Sequence, residues 1–243
     1  MRTSRAVRAA AVVLACLFAA AGLGAADLHL AGTQSTSWVD SPRARSSSQE
    51  LWAGKDKEWS KTDGRIRITR RDLGVVWSID TKAGTYAERA LAKAGASPAT
   101  APEEKLHNDG YEYEPVFDWT FKDMGLEEDV AGIRCRKFVL DGDADLSEKV
   151  IELWAAADLG PAVPGDDRTQ ALLTGRTEAG ALVERWKELK GLFILREKVT
   201  EDPPIGGTYV RETVLTKLES AEPPAGIYDL PSGLKKIEPG EAR

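Results

Sequence analysis

Hydrophobic and polar positions alternate through most of this chain. Arg65-Ile66-Arg67-Ile68-Thr69-Arg70 runs polar, apolar, polar, which is the pattern of a half-buried β-strand. Asp72-Leu73-Gly74 then supplies a turn, and Val75 to Asp80 places Val75, Trp77 and Ile79 on one face. Thr81-Lys82-Ala83-Gly84 turns the chain again, into Thr85-Tyr86-Ala87-Glu88. Short segments divided by turn residues in this way predict an antiparallel meander. The pattern resumes at Val116 to Phe121, with Phe117, Trp119 and Phe121 on one side. It continues through Gly132–Leu140 and Lys149–Ala155, then Leu192–Thr200 and Thr208–Leu218.

Helical spacing occurs in two places. Ala90 to Ala96 predicts a short helix, broken by Ser97-Pro98-Ala99-Thr100-Ala101-Pro102. Between Asp166 and Lys190, with Asp167 as the N-cap, Leu172, Leu173, Leu182, Val183, Trp186 and Leu189 fall on one side. Gly175 and Gly180 divide that stretch in two. Residues 27–49 are Ser/Thr-rich and weakly patterned, so they read either as a first strand or as a loosely held leader. The fold class is mainly β with a few helices, α+β: one curved antiparallel sheet. A curved sheet must cover its concave face, because apolar surface left in water costs about 25 cal/mol per Å². Helices can cover it, and so can a ligand.

The N-terminus has its own pattern. Arg2, Arg5 and Arg8 precede an uncharged run from Ala9 to Leu23, and Gly24-Ala25-Ala26 ends it with small residues. This is the layout of a secretory signal peptide, 1–26, cleaved before Asp27. The run is shorter than the roughly 20 residues that span a bilayer, and no transmembrane segment follows it. Val13-Leu14-Ala15-Cys16 loosely resembles a lipidation site, but the apolar run continues past Cys16. Cleavage leaves the compartment extracytoplasmic: the periplasm where the host has an outer membrane, otherwise the medium or the cell surface. Residues 27–49 and a domain over 50–243 then make up the mature chain.

Composition narrows the partners. The 243 residues carry 33 basic and 39 acidic side chains, a net charge of −6. Loss of residues 1–26 removes three arginines and no acid, leaving 30 against 39. That balance argues against nucleic acid or an anionic membrane surface as the main partner. Cys135 is the one cysteine left after cleavage, so no intrachain disulfide forms, and its place in a strand reads as core filling.

No constellation for catalysis, a metal or a cofactor stands out. His29 and His107 are isolated, whereas a zinc site draws three or four ligands. Asp141, Asp143 and Asp145 alternate as a solvated turn would, without the rest of a calcium loop. Glu112, Glu114 and Asp118 read as surface charge rather than as an acid–base pair. The chain is therefore expected not to be an enzyme. Its seven tryptophans are better placed for burial, in a core or along a cavity.

Several ordered motifs carry a resemblance: the strand pair of 65–80 ending in Thr85-Tyr86, Val130 to Phe138, Glu152 to Leu159, and the ending Leu230-Pro231-Ser232-Gly233-Leu234-Lys235-Lys236. Together they resemble exported bacterial proteins of the LolA/LolB/RseB-like superfamily, across about residues 50–237. The resemblance implies a half-open β-barrel with helices across its mouth, and relatives that bind acyl chains, carry lipoproteins or sense envelope stress. On that basis the expected function is a monomeric carrier of an apolar ligand, a lipid or a lipidated protein. Its cavity is expected to be lined by Ile68, Trp77, Ile79, Phe117, Trp119 and Leu153, under a lid of Leu182, Val183, Trp186 and Leu189. The alternative is an envelope sensor or protein-interaction module whose barrel is filled by its own side chains.

Overall fold

The computed structural model describes residues 26–39, 44–91, 117–144, 147–160, 163, 165–179, 186–203 and 206–239. The leader expected over 1–26 lies outside them except for Ala26, as do Cys16, His107, Glu112, Glu114, Asp145, Leu182 and Val183.

The described residues form one twelve-stranded sheet. Its first half is a meander: β1 (Asp27–Trp38), β2 (Arg45–Ala53), β3 (Lys57–Thr62), β4 (Arg65–Arg70), β5 (Val75–Asp80) and β6 (Thr85–Ala90). The second half restarts at the far edge with β7 (Asp118–Val130), then β8 (Ile133–Ala144), β9 (Ser147–Ala156), β10 (Phe193–Asp202) and β11 (Tyr209–Ala221). The spatial order is β12-β6-β5-β4-β3-β2-β1-β11-β10-β9-β8-β7, so the halves join where β1 meets β11. All pairings are antiparallel except the last: β12 (Lys235–Ile237) runs parallel to β6 and covers its edge. The sheet is open, and β7 is left as an unpaired edge among the described residues.

Local chemistry explains the hairpins. Asp63-Gly64 joins β3 to β4 with φ of 49° and 84°, and Ala131-Gly132 joins β7 to β8 with 54° and 77°. Two successive positive φ values make the tight hairpin turn whose twist matches the strands, and glycine takes the second position without a Cβ clash. A different constraint fixes Gly32. It faces a bulge in β11, and a Cβ there would lie 2.6 Å from the Val214 carbonyl oxygen.

The helical expectation needs correction. One helix, α1 (Asp167–Thr174), is present among the described residues. Its N-cap is Asp166, whose carboxylate accepts from the Thr169 N–H at 2.8 Å. Gly175 ends it. Lys187–Gly191 is a run of turns rather than helix, so Trp186 and Leu189 reach the sheet from an irregular segment. Apolar spacing alone does not distinguish a helix from such a segment once glycines interrupt it.

Residues 27–39 and 44–49 are also more regular than their composition suggests. β1 is central, paired on both sides, with Leu28 and Leu30 buried. Leu173 of α1 packs in the same core as Leu28, Leu30, Leu215 and Leu218. Arg168 donates to the Gly54 carbonyl, and Arg176 to Gln49 Oε1 at 3.0 Å, which ties the helix to the β1–β2 side.

Candidate functional site

Register and alternation place the expected cavity residues. Residues directly opposite each other in paired strands share a face, as do alternate residues along a strand. Trp119, Phe121, Phe138 and Leu153 lie in a second core with Leu189 and Trp186. Leu153 is fully buried, and the Phe121 ring stacks 6.2 Å from Trp186. Trp119 lies so close over Gly142 that a Cβ there would sit 2.8 Å from the indole. Phe117 flanks this cluster, 5.4 Å from Trp119. This part of the sheet is filled by its own side chains.

Ile68, Trp77 and Ile79 belong to the other half. His29, Trp52, Trp59, Ile68, Trp77 and Glu88 follow one another as direct partners from β1 to β6, a single row across one face. His29 stacks on Trp52 at 4.0 Å, and the Trp77 indole N–H donates to Glu88 at 2.8 Å. The His29 ring nitrogens lie 3.1 and 3.2 Å from carboxylate oxygens of Glu50 and Glu219. Ile79 pairs with Ile66 in the neighbouring row, and both also border a groove on β3–β6. The six residues are thus divided between two places. Of the lid, Trp186 and Leu189 pack on the β7–β9 side.

The opposite face of β3–β6 carries a groove of about 360 Å³, bordered by Ser60, Thr62, Arg65, Arg67, Ser78 and Arg89, together with the apolar Ile66, Ile79 and Ala87 and the carboxylate of Asp80. The spacing that puts Ile66 and Ile68 on one face puts Arg65 and Arg67 on the other. Two cross-strand rows make up the groove wall. Ser60, Arg67, Ser78 and Ala87 are direct partners in sequence, as are Thr62, Arg65 and Asp80. Asp80 accepts from the backbone N–H groups of Ala83 and Lys82 at 2.9 Å each, which holds its carboxyl below its usual range. It therefore remains a carboxylate committed to the turn.

Polar chemistry is also buried inside the second half. Glu197 on β10 is 1% exposed and accepts from the N–H groups of Glu178 and Ala179 at 3.0 and 2.7 Å. Burial pushes its carboxyl above the usual glutamate range, against the pull of those N–H groups and of Arg211 at 3.7 Å. Arg211 is bound to Glu178 at 2.5 Å, and Lys149 pairs with Glu178 and Glu201. Burial works to lower the Lys149 ammonium, but those two carboxylates hold it above its usual value. The network pins residues 178–179 to the sheet. Its members are all engaged with one another, so its role is structural.

Cys135 is fully buried, and burial pushes its thiol up to about 12. Such a group is a poor nucleophile. No cluster of three His, Cys, Asp or Glu side chains among the described residues is placed to hold a metal ion. No helix among them is long and apolar enough to cross a membrane.

Sequence reasoning missed the groove, although its signal was present. Weighing Ile66 and Ile68 as the informative face left Arg65 and Arg67 as mere solvent positions.

No family model and no curated protein matches the chain. Among solved structures it is similar to a LolA superfamily protein from Nitrosomonas europaea, at 6% identity over 86% of this chain and 92% of that one, with a TM-score of 0.30. It is also similar to a DUF1329 family protein from Desulfovibrio piger, at 12% identity over 94% and 99%, with a TM-score of 0.31. At these TM-scores neither match carries an argument, and the mainly β fold rests on the order and register of the sheet itself.

Proposed function

We propose that this protein is an extracytoplasmic binding or carrier protein, not an enzyme, and that its ligand enters the groove on β3–β6. One observation carries the reading: a groove of about 360 Å³ walled by three arginines and three hydroxyl side chains together with Ile66, Ile79 and Ala87, on the sheet face opposite the Trp59–Ile68–Trp77 row. A volume of that order suits a small molecule or one end of a larger one. The export signal of residues 1–26 supports the compartment. A lipid or a lipidated protein is the ligand class that the motif resemblance favours. In this reading its polar end occupies the groove.

A second reading, an envelope sensor or protein-interaction module, is favoured by a different observation. The core of β7–β10 is filled, and among the described residues β7 presents an open edge with Met124 and Leu126 exposed. An unpaired strand can accept a strand from a partner. The edge is also bulged between Asp123 and Glu127 and rich in charge, which are devices that discourage such pairing.

The test is native mass spectrometry of the mature protein, recovered from its host without detergent. The carrier reading expects an adduct of small-molecule or lipid mass, lost on denaturation. Copurification of a stoichiometric protein partner, with no small adduct, would replace it with the second reading.

A further inference from the structure

Arg70, Arg71, Arg134, Arg136, Arg196 and Arg211 each lie within ion-pair distance of a carboxylate. Arg67 and Arg89, like Arg168 and Arg176, have no carboxylate partner among the described residues, but the first two border the same groove. In register, Arg67 has Ser60 on one neighbouring strand and Ser78 on the other. The hydroxyl of Thr62 belongs to the next row, beside Arg65. A protein with an acidic excess has thus gathered cations and hydroxyls on one concave surface, with Asp80, already committed to its turn, as the sole carboxylate bordering it.

The donor set indicates the kind of anion. Each guanidinium offers a planar fork of N–H groups, and each hydroxyl offers one rotatable donor. A carboxylate presents two oxygens in one plane, and a single arginine fork satisfies most of them. Donors arriving from four strands, β3 to β6, match a tetrahedral oxyanion, whose oxygens point in several directions. We infer that the groove recognises a phosphoryl group, a phosphate mono- or diester, through Arg67 and Arg89 with the hydroxyls of Ser60 and Ser78. This rests on the reading of the groove as the ligand site. The phosphoryl group belongs either to a lipid head group or to a free phosphate ester, and both present the same oxygens.

The experiment is flotation of the protein with vesicles of phosphatidylcholine, with and without phosphatidylglycerol, alongside calorimetric titration with inorganic phosphate and with glycerol 3-phosphate. Phosphatidylcholine also carries a phosphodiester, shielded by its choline cation. The protein's net negative charge opposes nonspecific attraction to an anionic surface, so flotation that Arg67→Gln/Arg89→Gln abolishes reports a local site. Flotation with phosphatidylglycerol, competed by glycerol 3-phosphate, supports a lipid head group. Saturable binding of the soluble phosphates without flotation supports a free phosphate ester. In either case Arg67→Gln/Arg89→Gln is expected to lose roughly 100-fold in affinity, about 10-fold for each charge-assisted contact. Arg134→Gln, outside the groove, should bind as the wild type does, and matching thermal melts establish that the variants are folded. Equal flotation with both vesicles, unchanged in the double variant, would overturn the phosphoryl inference while leaving a carrier of apolar ligands standing. Binding to none of the four probes would overturn the inference outright; a retained adduct in the native mass spectrum would show that the carrier reading survives it.

Discussion

Replacing Glu197 tests whether a buried carboxylate holds the 178–179 segment on the sheet. The side chain is 1% exposed and accepts two backbone N–H bonds, from Glu178 and Ala179. Glu197→Ala leaves both donors without an acceptor. A buried group left unsatisfied costs about 1–3 kcal/mol, so the pair amounts to about 2–5 kcal/mol. For a chain of this size that is about 5–15 °C in Tm. Glu197→Gln keeps one acceptor oxygen but sets an NH₂ against the other donor, so its loss is smaller. The pH dependence has a definite sign. Burial raises the carboxyl in the folded state, so the folded protein holds this proton to higher pH than the unfolded chain. The stabilisation from that proton is complete below the usual glutamate value of about 4.5 and is lost as pH rises through the raised folded value. The Gln variant has no such term. Wild type should therefore exceed Glu197→Gln by most at low pH, with the gap narrowing as pH rises above about 4.5. Urea unfolding of the three proteins between pH 4 and 8 measures this. An unchanged midpoint for Glu197→Ala, or a gap that widens with pH, would refute the reasoning.

Three further outcomes are expected. Cys135 should resist an aromatic disulfide reagent in the native state and react fully in denaturant, because burial and a thiol at about 12 leave little thiolate; rapid native labelling would contradict its placement. Asp166→Ala should lower stability by about 0.5–2 kcal/mol, since it removes the N-cap bond to Thr169; Asp166→Asn should recover most of that loss in the same urea titration. Tyr228→Phe should cost about 1.5–3 kcal/mol, because the phenol donates to Asp27 at 2.6 Å and ties the segment after β11 to the first residue of β1; a melt within 1 °C of wild type would show that the bond contributes nothing.

Much of the sheet was legible where alternation was strict. β4 and β5 have the limits that the pattern of 65–70 and 75–80 predicts, and β8 to β11 fall on the remaining segments within a few residues. β3 was missed although Asp63-Gly64 marks its hairpin, because Lys57 to Thr62 carries a single large apolar residue, Trp59. β1 was left undecided because its second half, Thr33 to Ser37, is entirely polar. Its strand state comes from pairing with β2 and β11 along its whole length, a tertiary effect that local pattern does not record. The lid helix failed for a related reason: spacing placed Trp186 and Leu189 on the core side but not in a helix. The candidate site was the least legible. Alternation says that Arg65 and Arg67 share a face, while only the packing of β3 to β6 side by side decides that a groove forms there.

The most direct test of the groove as the ligand site is ¹H–¹⁵N NMR of the mature protein during titration with dihexanoyl-phosphatidylglycerol below its micelle concentration. The account predicts saturable shifts confined to amides of residues 57–90, centred on Arg67, Ser78 and Arg89, and absent in Arg67→Gln/Arg89→Gln. Saturable shifts in β7–β10, with β3–β6 unmoved, would contradict it.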